Sequence, residues 1–172
     1  MQDHHSADPA RRDPARHEHS ALPRHIRAHA HSGEGAAEAS SPFPELMAEV
    51  MSTADRFAHR QHVHLTYLAI RRYGTAATID LVSNGIQSVA RYAGAPQKYN
   101  ATVSRAWVEL VAHHTEHSDA ADFDAFAERD PALLDKRLLT RFYRPATLAR
   151  TEARTGWVAP DLNPFPWNAT HA

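Results

Sequence analysis

Between Thr75 and Gly94 the apolar positions fall in a helical rhythm. Ile79, Val82, Ile86, Val89 and Ala93 recur at alternating steps of three and four, which gathers them on one side of a helix that turns about 100° per residue. Thr75 stands where an N-cap belongs, and Gly94 and Pro96 close the pattern, so a helix is predicted over 76–93. Gly85 lies inside it and reads as a point of close helix contact rather than a break. A second pattern predicts a helix from Thr53 to Tyr73, with an earlier start at Pro44 also open, stopped by Gly74. After the loop APQKYNA, Thr102 is the expected cap of a third helix over 103–117. Shorter helical pieces follow at 123–129 after a capping Asp122, at 131–143 and at 145–155, and then a proline-rich end expected to wrap the surface. No segment reads as a strand and no repeat is present. The expected class is all-α: one small domain with a three-helix antiparallel core and short C-terminal helices packed across it.

Composition limits where that domain lies. Residues 1–42 are rich in Ala, Arg, His, Pro, Ser and Glu, and Leu22 and Ile26 are almost their only large aliphatics. Such a segment buries too little apolar surface to offset its ordering entropy. The expected division is therefore a disordered tail over 1–42, a helical domain over 43–160 and a proline-rich extension over 161–172. Deleting residues 1–42 should leave the melting temperature nearly unchanged; a drop of many degrees in calorimetry would place the boundary elsewhere.

Charge and cysteine content exclude several functions. With 19 basic and 20 acidic side chains the net charge is −1, which gives no reason to expect nucleic acid or an anionic membrane as partner. The chain has no cysteine, so disulfides, thiolate metal sites and cysteine nucleophiles are out. The start lacks the apolar core of a secretory signal and no apolar run reaches spanning length, so a cytoplasmic protein is expected, with its Asn100 and Asn168 sequons unglycosylated. Nothing in the chain specifies an oligomeric state.

Histidine carries the candidate chemistry. Of 14 histidines, seven lie in residues 1–42, where no fixed geometry would hold a metal tightly. His59, His62 and His64 fall on the first predicted helix. Helical facing puts Arg60, His64, Tyr67 and Arg71 on one side, read as solvated, and turns His59 and His62 inward with Ala58, Leu65, Thr66, Ala69 and Tyr73. On the third helix, Val103, Trp107, Leu110, His114 and His117 share the core side, while Arg105, Glu109 and Glu116 face out and His113 lies at the border. A four-histidine metal site fails on topology. In an up-down-up arrangement the two pairs differ in level by roughly 9 to 18 Å. The same arithmetic brings the start of the third helix, with Tyr99, Asn100 and Thr102, beside His59 and His62. Helix N-termini present free N–H groups to anions.

The expected site therefore has His59, His62 and Tyr99 as acid–base groups, with Gln61, Asn100 and Thr102 as ligand-binding groups. It would serve a small cytosolic protein that binds a small anionic molecule and could transform it by histidine acid–base chemistry. The alternative is a non-catalytic accessory or metal-binding protein, in which His59 and His62 are structural or ligate a divalent metal. The plain structural reading has these histidines hydrogen-bonding nearby carbonyls. No cofactor motif is present.

The blocks FAHRQHVHLTYLAIRRYG, KYNATVSRAWVELV, DPALLDKRLLTRFY and ARTGWVAPDL together resemble a family of small bacterial helical proteins, most of them without an assigned activity. That family's pattern is F-x-H-x-[DE]-H-L, then Y-H-E-T, then LLD with a following aromatic and a late Pro-Asp. Phe57, His59, His62, Tyr99, Thr102, Leu133, Leu134, Asp135, Tyr143, Pro160 and Asp161 match it over about residues 55–165. Gln61, Asn100 and Ala101 depart from it. The resemblance implies a helical fold and no particular reaction, and the departures remove the carboxylates such a site would use.

Overall fold

The computed structural model describes residues 41–171, which are predominantly helical and contain no strand. Helix α1 spans Phe43–Met51. Pro42 and Pro44 suit a first turn that needs no N–H donors, and Phe43, Leu46 and Val50 form its buried side. The predicted first helix is therefore interrupted: α1 ends near Ser52, and α2 begins only at His59. The chain enters α2 in extended conformation at Ala58, where Gln61 Oε1 accepts the Ala58 N–H at 3.2 Å.

Helix α2, His59–Tyr92, is two helical arms joined at Gly74, whose φ of 78° and ψ of 168° are not helical. A residue with a Cβ resists that φ, so this glycine is the stop its sequence position suggests. Helix α3, Ala101–Glu116, pairs with both arms. His59 lies edge-on to Trp107 and Arg71 donates to the Ala120 carbonyl, so arm 59–73 runs parallel to α3. Ser83 meets Ser104 across the second arm, while Thr75 and Ala76 face His113 and Glu116. That arm is antiparallel, as the up-down-up expectation requires. Gly85 does permit a close approach: a Cβ there would lie 2.1 Å from Cδ2 of Phe43, so α1 seats its aromatic ring against the bare backbone.

Two facing assignments are corrected. Tyr67 is 3% exposed and His64 stacks on Phe123 at 4.1 Å between ring centroids. The side read as solvated is covered by α4, Phe123–Arg129; Arg60 reaches over it to Asp124 at 2.7 Å. Periodicity reports relative facing, and a helix with apolar residues all round has two buried sides. Tyr73, read as inward, is exposed because it sits at the open turn before Gly74.

The cap of α3 is Asn100 rather than Thr102, with Asn100 Oδ1 accepting the Val103 N–H at 3.0 Å. Asp122 caps α4 as expected. Residues 131–143 form two short 3₁₀ turns, Pro131–Leu134 and Leu138–Arg141, and residues 145–155 two short helices, α5 (Pro145–Leu148) and α6 (Thr151–Thr155).

The domain does not close at 160. Phe165 is fully buried against Phe142, Trp157 and Trp167, and burial of one such ring contributes about 2 to 3 kcal/mol. Asp161 accepts from Arg144 N and Thr147 Oγ1, tying the segment to α5. The reading of a tail over 1–42 falls outside the described residues except at its last two. Ser41 Oγ accepts the Phe43 N–H and Pro42 O the Leu46 N–H, so the truncation proposed above should stop before Ser41.

Candidate functional site

His59 and His62 do turn inward at the start of α2. His59 Nε2–H donates to the Leu133 carbonyl at 2.9 Å, and burial pulls its pKa below the ordinary 6.5, partly opposed by that bond and by Asp135. His62 packs near the Phe57 ring. Its Nε2 is enclosed without a hydrogen-bond partner, and burial, with His59 beside it, pushes its pKa down to about 4. Both imidazoles are neutral at pH 7.

The other members of the expected site are engaged elsewhere. Asn100 Nδ2 donates to the Leu148 carbonyl at 2.7 Å, and its Oδ1 caps α3. Thr102, fully buried, donates to Gly156 O at 2.7 Å and accepts from Val158 N at 3.0 Å. Gln61 Oε1 is spent on Ala58 N. Tyr99 is half-buried beside the cap. The start of α3 is thus fastened to the C-terminal helices, and no described hydrogen bond or ring contact joins it to His59 or His62. Among the described residues no group of three or more His, Asp or Glu side chains is arranged to hold a metal ion, and His59 Nε2 is occupied by the Leu133 carbonyl.

The inward pair on α3 divides. His117 is exposed, its Nδ1–H donating to His113 O at 2.6 Å. His114 is part-buried, and its Nδ1 lies 2.8 Å from Asp130 Oδ1. A carboxylate only accepts, so Nδ1 carries the proton and Nε2 the lone pair of the neutral ring. Asp130 closes α4 with its N–H on the Phe126 carbonyl and its own carbonyl on Leu133 N. Its Oδ2 is buried with no hydrogen bond, and Arg129 Nε is 3.9 Å away.

His114, with Asp130 behind it, stands on the wall of a cleft of ≈ 490 Å³. Leu110, Leu138 and Phe142 line it as an apolar floor, and Pro164 and Pro166 of the C-terminal strap, residues 161–168, as a rim. Arg141 lines the same cleft; it is exposed and has no ion-pair partner among the described residues. Asn163 holds the Arg141 carbonyl at 2.6 Å. An imidazole aligned by a carboxylate can take and return a proton, and a free guanidinium binds carboxylate or phosphate oxygens.

No family model, curated protein or solved structure matches the chain.

The chemistry of the site is therefore read from its own geometry. Sequence reasoning placed His114 on the core side of α3 but, with a four-histidine metal site excluded by topology, gave it no role. Asp130 and Arg141 carried no signal, since neither spacing nor motif links them to a histidine. The one hint is local: Asp130 precedes Pro131, which ends a helix and fixes the carboxylate at its close. No described helix is long and apolar enough to cross a membrane.

Proposed function

We propose that the protein binds a small anionic molecule with an apolar body in the cleft beside His114, and that His114, aligned by Asp130, exchanges a proton with it. The His114–Asp130 pair carries this reading. A part-buried carboxylate with one oxygen on an imidazole and the other enclosed without a hydrogen bond, 3.9 Å from Arg129 Nε, is costly to keep for packing alone. Orienting a histidine at a cleft gives it a use. Support for the anionic class comes from Arg141 at the rim, and support for the apolar body from Leu110, Leu138 and Phe142. Proton transfer needs Nε2 as the base, the tautomer that Asp130 selects by accepting from Nδ1.

Titration with benzoate and phenylphosphonate, followed by the imidazole nitrogen resonances in NMR, tests this. Both anions should shift His114 saturably, and neutral benzamide should do so about tenfold more weakly, the worth of one charge-assisted contact. Arg141→Ala should weaken benzoate by a similar factor without lowering the melting temperature, since Arg141 is exposed. Asp130→Asn should alter the His114 tautomer signature. If benzamide equals benzoate, or Arg141→Ala changes nothing, the anionic assignment fails. If His114 responds to neither anion, the site is elsewhere.

A further inference from the structure

A second cleft, ≈ 520 Å³ in volume, lies between arm 75–92 of α2, helix α3 and the C-terminal strap. Arg105, Glu109, His113 and Glu116 line it from α3, one stripe at steps of four, four and three. Facing them are the indoles of Trp157 and Trp167. Trp167 is held by stacking on the buried Phe165 at 4.6 Å and 8°, so its ring is a fixed wall.

One half of this stripe already shows what the surface accommodates. The Arg105 guanidinium sits 2.6 Å from Glu109 Oε1 and 4.5 Å over the Trp157 ring, a cation held between a carboxylate and an indole face. Further along α3 the same ingredients recur with no internal cation. Glu116 lines the cleft with Trp167 and has no ion-pair partner among the described residues. His113, its ring 5.4 Å from Trp167, has its pKa lowered from 6.5 by burial and by His117 and His114, so it brings no charge at neutral pH. Its Nδ1 and Nε2 make no described hydrogen bond, and a neutral imidazole offers one lone pair to an ammonium N–H. Arg105 and Glu109 cancel, which leaves the cleft with the single negative charge of Glu116.

We propose that this cleft binds an organic cation, an alkyl- or arylammonium whose charged nitrogen lies between Glu116 and Trp167 and whose apolar body lies along Ile79. The ligand is thus opposite in charge to the one proposed for the His114 cleft, and the assignment stands on different residues.

The test uses the full chain and the indole N–H signals of Trp157 and Trp167 in NMR, with 2-phenylethylammonium as probe and 3-phenylpropionate as its anionic counterpart. The ammonium should shift both indole signals saturably, and the carboxylate should be at least about tenfold weaker there. Glu116→Gln, at an exposed position, should keep the melting temperature and lose about tenfold in ammonium affinity. Raising the salt concentration should weaken the ammonium as well. Equal response to the two probes overturns the proposal. So does undiminished ammonium affinity in Glu116→Gln, or no saturable ammonium response at the indoles. Because the readout is at Trp157 and Trp167, its failure is separate from any failure at His114.

Discussion

Acidifying the protein from pH 7 to pH 4 should remove about 3 kcal/mol of folding stability through His62 alone. The sign follows from where the proton binds. Burial lowers the folded-state pKa of His62 from 6.5 to about 4, so on descent through pH 6.5 the unfolded chain takes up a proton that the native state refuses. The stability is fully present above the unfolded value and is lost as the pH falls to the folded one. The groups facing His62 do not reverse this. His59 also has a lowered pKa and adds in the same direction, with Asp135 opposing and Lys136 reinforcing through His59. Urea unfolding of the wild type and of His62→Leu, at several pH values across this window, isolates the effect. The variant should lose much less stability on acidification. At pH 7 it should be as stable as the parent or more so, because His62 Nε2 has no hydrogen bond to forfeit. Equal slopes in the two proteins would show that His62 is not the acid-sensitive group.

Thr102→Val should cost about 2 to 4 kcal/mol, nearly all of it from two orphaned backbone groups. The hydroxyl is shared between Gly156 O and Val158 N at a fully buried position, and valine fills the same volume with neither function. Thr102→Ser keeps both bonds and should stay within about 1.5 kcal/mol of the parent. Asn100 reinforces the attachment by reaching Leu148. The variant should therefore loosen the segment from α5 to the strap before the α2–α3 core, which hydrogen exchange would register as local loss of protection near residues 145–165. A cost under about 1 kcal/mol would mean that water replaces the hydroxyl and that the attachment lies elsewhere.

These two threonine and histidine positions mark the limit of what could be read along the chain. The all-helical class, Gly74 as a stop, Asp122 as a cap and the close approach at Gly85 were all legible, and so was the inward turn of His59 and His62. Each depends on side chains three or four positions apart or on the φ that one glycine allows. The candidate site was not legible. His59 meets Leu133 across 74 residues, Thr102 meets Gly156 across 54 and His114 meets Asp130 across 16. Helical phase says which way His114 leans relative to Trp107 and Leu110. It does not say that α4 ends so that Asp130 lies against the imidazole, or that the strap after Asp161 folds back to build the rims of two clefts. Local preference acts through the backbone and nearest turns, so it survives in the sequence as a period. Which buried polar group finds which partner is decided only when the packed helices bring distant chain segments together.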